Sequence, residues 1–378
     1  MRFPRVILSN NKIYNKIDST VNISGLNFKS FYQDEDGILY IVKIEKERSI
    51  QEIFSGISNL EGKQEYYIAH LDSLRDQATV TSVIALNIAK EIFLNFRFPD
   101  NYLCRLDDFT PIVLSTMIPK NENFQEFLKE NKILKGLPFD NQKVFKKESL
   151  GLFNTNDFNK EQAHILGKIY YVALFMGHWD IVNNLDLSNS GSVMINNKLI
   201  PCIVDWGNCL WGFGGVDQDS TAFKNPEFWV DVQSYASCSI YGFKGCVPFD
   251  NIVYPRLPRQ LVSNLFDLTG EDEVSKIILA GFIETHNEAK SKFSSDKIMS
   301  AIKKTLAEEQ SLFSKSTFRK ALNKELFLKN KNGTLGLSNI LQNRLLSLDE
   351  IIYEISLGTK MTEISQIQFQ KIKSSQVY

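Results

Sequence analysis

One stretch decides the fold: Gly177–Gly207, GHWDIVNNLDLSNSGSVMINNKLIPCIVDWG. Its first half is a polar loop that places Asp180, Asn183 and Asn184 close together. Its second half reads as two short strands, SVMI and IPCIVDW, joined by Asn196-Asn197-Lys198, and it delivers Asp205 at the end of an apolar run. Just upstream, Phe158–Met176 has the length and apolarity of a buried helix, with Asn156 or Asp157 as N-cap and Gly177 as terminator. Helix, polar loop, hairpin, aspartate: that order gathers hard oxygen ligands on rigid supports. A carboxylate and an amide in one loop, joined by a carboxylate from the following hairpin, suit a Mg²⁺ ion bridging nucleotide phosphates while another carboxylate orients a hydroxyl.

Such chemistry also needs a cation for the phosphates, and the N-terminal side offers one. Thr20–Tyr32 is β-rich, Asp34–Gly37 supplies turn chemistry, and Ile38–Ile44 is strongly β-forming, so a hairpin is expected there. Near its end stands Lys43, whose ammonium, pointed inward from a sheet, would reach α and β phosphates. An ordinary edge-strand lysine is the competing reading. Helices are expected over Ser49–Leu60 and Val80–Phe96, the second stopped by Pro99-Asp100. NYLCRL and PIVLSTMI then read as strands about Asp107-Asp108, followed by a helix over Phe124–Leu134. Residues 207–258 lack a sustained period apart from one helix near Phe228–Ser237, and from Arg259 onward the pattern is helical.

At 378 residues the chain is long enough for two domains, and 43% hydrophobic with 23% charged residues is a globular composition. Lys+Arg 43 against Asp+Glu 44 excludes a uniformly basic surface. The balance is uneven: residues 289–378 hold 15 basic and 8 acidic residues, leaving 28 and 36 for the rest. Within that tail Lys303, Lys304, Lys315, Arg319, Lys320 and Lys324 alternate with apolar positions. A helix with a cationic face would present an inositol polyphosphate or an anionic lipid with a binding surface, or would simply be solvated. No nucleic-acid signature accompanies the charge. The five cysteines form no CxxC pair and the four histidines lack ligand spacing, so structural zinc is not expected and the thiols are read as reduced and mostly buried. No run of about 18 apolar residues and no signal-peptide h-region is seen, so neither a transmembrane segment nor Sec export is expected.

Taken in order, VKI on the third strand, VLSTMIP as a hinge, HWDxxNN as a catalytic loop and IVDWG in place of the DFG element resemble a remote protein kinase over about residues 20–250. The nearest resemblance is to the highly divergent effector kinases secreted by Legionella, including the type activated by inositol hexakisphosphate. It implies an α+β, two-lobed protein-kinase-like fold with a helical C-terminal region: an N-terminal lobe over 1–119, a C-terminal lobe over 120–288 and a basic helical region over 289–378.

The resemblance implies Lys43 as the phosphate-binding lysine, Asp180 as the hydroxyl-orienting carboxylate, and Asp205 with Asn184 as metal ligands. The usual asparagine lies five residues after the aspartate, where this chain has Leu185, so Asn183 and Asn184 both stay open. Glu52 is the candidate partner of Lys43, Met117 the hinge residue toward the nucleotide, and His178 a structural group. No GxGxxG loop is present; Ser24-Gly25 is the only small-residue turn in the first hairpin. The implied activity is an ATP- and Mg²⁺-dependent (or Mn²⁺-dependent) atypical protein kinase, secreted by a dedicated system into a host cytosol, with inositol hexakisphosphate as candidate activator. Two alternatives stand beside it: a phosphoinositide kinase, and a pseudokinase-like module that binds inositol phosphates or phosphoinositides. A membrane-peripheral position within the host cytosol is a further expectation.

Overall fold

The computed structural model describes residues 4–9, 12–18, 28–44, 79–106, 111–119, 125–126, 159–176, 178, 190–206, 209, 273–313 and 336–357. Six strands form one curled antiparallel sheet in the order β1-β2-β3-β4-β6-β5: β1 (Val6–Ser9), β2 (Lys12–Ile17), β3 (Phe28–Gln33), β4 (Leu39–Ile44), β5 (Asn101–Arg105) and β6 (Pro111–Thr116). The expected hairpin is β3–β4. Its turn is held by Asp34, whose Oδ1 accepts from the amides of Asp36 (3.1 Å) and Ile38 (2.9 Å), and Gly37 supplies the left-handed residue at φ 80°. Ahead of it, β1 and β2 make a further hairpin that places Lys43 on the fourth strand rather than the third.

Side chains alternate along β4 as the pleat requires. Tyr40 and Val42 are buried with Tyr14, Tyr32 and Leu114 on one face. Lys43, directly opposite Val113 of β6, lies on the other face, where Val113 joins the main core.

Between β4 and β5, residues 79–92 form helix α1, buried through Val83, Ile84, Leu86, Ile88 and Ile92. It ends four residues before the expected Phe96. There a carboxylate oxygen of Glu288 accepts from the Leu94 and Asn95 amides (3.0 and 3.3 Å), and the chain turns so that Phe96 stacks on Phe98. A purely local apolar period cannot register that stop, because a distant side chain makes it.

The second sheet, β7-β8-β9, is built from β7 (Gln125–Glu126), β8 (Ser190–Ile195) and β9 (Lys198–Ile203). The β8–β9 hairpin turns where expected, with Asn196 and Asn197 both left-handed (φ 51° and 61°), as a tight twisted turn demands. β7 corrects the helix expected over Phe124–Leu134: Gln125 and Glu126 pair with Ser192 and Gly191, because the open edge of β8 offers hydrogen bonds that residue pattern alone does not reveal. Residues 127–134 and the expected helices at Ser49–Leu60 and Phe228–Ser237 lie outside the described residues.

Four more helices complete the described chain: α2 (Lys160–Met176), α3 (Glu273–Lys292), α4 (Ser295–Phe313) and α5 (Leu337–Ser356). α2 starts two residues later than expected, capped by Asn159, whose Oδ1 accepts from the Gln162 amide (2.8 Å) while Gln162 Oε1 accepts from the Asn159 amide (3.3 Å). This reciprocal cap replaces Asn156 or Asp157. α2 and α3 approach through paired glycines: a Cβ on Gly167 would stand 1.9 Å from the Ile278 carbonyl oxygen, and one on Gly281 2.0 Å from that of His164. One apolar cluster runs through all five helices and reaches Val113 of β6 and Ile203 of β9. Among the described residues no helix is long and apolar enough to cross a membrane. Cys104, Cys202 and Cys209 are buried.

Candidate active site

The two sheets are joined by backbone. Pro201 lacks an N–H, and on the outer side of β9 its carbonyl accepts from the Arg97 amide (2.8 Å), while the Ile203 amide donates to the Arg97 carbonyl (3.4 Å). Arg97 lies in the segment linking α1 to β5, so the end of β9 is held in register with the six-stranded sheet. Residue-type reasoning missed Arg97, because its contribution comes from backbone rather than side chain.

That register brings Lys43 and Asp205 together. Lys43 Nζ lies 2.8 Å from Asp205 Oδ2, with the side chains 14% and 19% exposed. One cation from β4 and one carboxylate from beyond β9 thus converge in a partly sheltered position still open to solvent. Burial strengthens such a pair relative to a surface one, while the remaining access lets the partners be exchanged for a ligand.

Beneath Asp205 the support is apolar and neutral. Trp206 is buried, donates its indole N–H to the Ile203 carbonyl (3.2 Å), and packs edge-on against Phe98 and obliquely against His178. It is a core anchor. His178 is fully buried, and its Nε2 makes a hydrogen bond to the Asp205 backbone carbonyl. Burial pushes the His178 pKa down to about 4, against the opposing effect of that hydrogen bond. The ring is therefore neutral near pH 7, donating from Nε2–H, and its Nδ1 has no hydrogen-bond partner among the described residues. It serves as a prop for Asp205, the structural role expected of it.

The remaining candidates divide. Met117 follows β6, and its amide donates to the Leu39 carbonyl (2.9 Å), which extends the β4–β6 pairing and leaves its half-buried side chain as what it presents. Lys303 and Lys304 are exposed on α4, while Ile298, Ile302 and Leu306 of the same helix are buried and Thr305 accepts a hydrogen bond from Asn87 of α1 (3.0 Å). α4 is thus an amphipathic helix with its apolar stripe packed on the body. Asp180, Asn183, Asn184, Glu52, Lys315, Arg319, Lys320 and Lys324 lie outside the described residues.

Among the described residues no group of three or more His, Cys, Asp or Glu forms a metal cage. The donor chemistry of Asp205 nevertheless fits Mg²⁺, which binds through one or two carboxylates plus phosphate oxygens rather than in an all-protein cage.

No protein-family model matches the sequence, and no curated protein matches it. Among solved structures, the crystal structure of a Helicobacter pylori proinflammatory kinase, CtkA, is similar over 90% of this chain and 96% of that one, with a TM-score of 0.46 and 14% identity.

Proposed function

We propose that this chain is an ATP- and Mg²⁺-dependent phosphotransferase of the atypical protein-kinase type, with a two-lobed kinase-like body and a helical C-terminal region. The observation that carries the reading is the Lys43–Asp205 approach at 2.8 Å: a strand lysine from one sheet and a carboxylate ending the hairpin of another. The element order supports it as well. The lysine strand, a helix running toward the next strand, a strand leading out past Met117, a buried helix and a hairpin ending in Asp-Trp-Gly come in the sequence that the resemblance implies. The division at 1–119, 120–288 and 289–378 belongs to the same proposal.

In this reading Lys43 exchanges the Asp205 carboxylate for phosphate oxygens, and Asp205 with Asn183 or Asn184 holds the metal. Bound Mg²⁺ would supply neutralisation of the charge that develops on the transferring phosphoryl group. Asp180 orients the acceptor hydroxyl, Glu52 steadies Lys43, and Met117 borders the nucleotide base. The favoured acceptor is a protein hydroxyl. Delivery to a host cytosol, and activation by inositol hexakisphosphate through the basic tail, are proposals resting on the resemblance alone.

The test is transfer of labelled γ-phosphate from Mg·ATP to a generic protein and to the chain itself, with and without inositol hexakisphosphate, in wild type and Asp205→Ala. Transfer that falls by several orders of magnitude in the variant supports the reading. A folded wild type that transfers nothing to protein under either condition would contradict it, and the same assay with phosphoinositide vesicles then separates a lipid kinase from a binding module.

A further inference from the structure

α5 is tied to α2 at two points one turn apart on α2, the first by way of His286 and Lys290 of α3 and the second directly. At the first, the Tyr171 hydroxyl meets His286 Nδ1 (3.1 Å), and His286 Nε2 meets Asp349 Oδ1 (2.7 Å), with Lys290 closing on the same carboxylate (2.8 Å). At the second, Arg344 Nε donates to the carbonyl of Phe175 (2.9 Å). The two points differ in kind. The first holds a side chain in the middle of the helix; the second holds backbone in its last turn.

Arg344 is fully buried, on a helix whose neighbouring core positions are Leu341, Leu345 and Leu348. A buried guanidinium costs desolvation, and an apolar side chain of similar size commonly supports stability as well or better, so stability alone is a poor reason for an arginine there. Its hydrogen bond to the Phe175 carbonyl supplies a positional reason. The last carbonyls of a helix have no partner within the helix, and a cation there also complements the helix dipole.

The last turn of α2 leads directly into the site. Three residues after Phe175, the His178 amide donates to the Ala173 carbonyl (2.8 Å), the long-range bond of a Schellman-type cap, and the His178 ring then bonds the Asp205 carbonyl. We infer that Arg344 is a positioning residue: through the last turn of α2 it fixes His178, and through His178 it fixes Asp205. The inference rests on the phosphotransferase reading for its effect on rate, but the path from Arg344 through the last turn of α2 and His178 to Asp205 does not depend on it. The signal in sequence is faint, since an arginine within an amphipathic helix reads as one more surface cation.

The test compares Arg344→Met, which keeps length and apolar volume, with Arg344→Lys, which restores a donor, and with Asp349→Asn, which loosens the other grip. Two readouts are taken: kcat and KM for ATP, and hydrogen exchange of the 174–178 segment. Expected for Arg344→Met is a kcat at least tenfold lower, KM within twofold, and faster exchange in that segment. Arg344→Lys recovers part of both, and Asp349→Asn lowers the melting temperature while kcat stays near wild type. Should Arg344→Met not fold, Arg344→Lys decides: at least a threefold loss of kcat with faster exchange supports the assignment. A folded Arg344 variant with wild-type kcat and exchange overturns it, as does an equal loss in Asp349→Asn, which would make both residues general docking contacts. If wild type transfers no phosphate, the phosphotransferase reading fails, and unchanged exchange at 174–178 would separately sink the positioning role.

Discussion

Where α2 crosses α3, backbone meets backbone: Gly167 and Gly281 each leave room for a carbonyl from the opposite helix, and the surrounding side chains belong to a single apolar cluster. Where β4 faces the end of β9, by contrast, the described contact is one ion pair between partly sheltered groups, Lys43 and Asp205. The first region holds the molecule together through many interchangeable dispersion contacts and close fit; the second depends on two particular charges being opposite one another. Substitutions should therefore separate cleanly. Changes at the sheet-to-sheet gap ought to cost activity with little stability, and changes at the helix crossing ought to cost stability first.

The largest expected effect lies at the gap. Lys43→Met should lower kcat/KM for phosphate transfer by about 10²–10³, in line with loss of one charged group aimed at the reacting phosphate, while the melting temperature stays within a few degrees of wild type. Steady-state kinetics and a thermal melt check both halves, and a collapse in stability would break the contrast.

At the crossing, Gly167→Ala places a methyl group against backbone that cannot rotate aside. A loss of about 3 kcal/mol or more is expected from overpacking, read as a shift of the urea midpoint. A near-neutral result would mean that the helices slide apart easily and that the crossing is not the rigid partner in the comparison. The cap of α2 is worth less: Asn159→Ala should cost about 1 kcal/mol in the same measurement.

The smallest effect concerns acid. Burial would raise the Asp349 pKa, but hydrogen bonds from Lys290 and His286 outweigh it and leave it below the ordinary 3.8. A carboxylate depressed in the folded state contributes stability above its unfolded pKa and loses it as pH falls through the folded value. Asp349→Asn should thus be less stable than wild type at pH 6, and the gap should narrow below about pH 4. Urea midpoints at pH 6 and pH 3 test this; a gap that widens on acidification would contradict the assigned sign.

Legibility in the sequence divides along the same line. The β3–β4 turn is readable because Asp34 and Gly37 act on their own neighbours, and the β8–β9 turn because Asn-Asn tolerates left-handed backbone. The end of α1 is hidden because Glu288, nearly two hundred residues away, receives the amides just beyond it. β7 is hidden because its partner edge belongs to β8. At the site, Lys43 stands out as a charge in an apolar strand and Asp205 as one at the end of an apolar run, whereas Arg97 acts through backbone and Arg344 looks like one cation among many in a basic tail. Chemistry carried by side-chain type shows in a sequence; chemistry carried by position does not.

The most direct measurement is a double-mutant cycle in phosphate transfer, with Lys43→Met, Asp205→Ala and the pair together. If both groups serve one bound Mg·ATP, the double variant should lose little more than the worse single one, because either loss already disables the shared step. Losses that simply multiply, or single variants that transfer phosphate at the wild-type rate, would contradict the claim that the two sheets converge on one ligand.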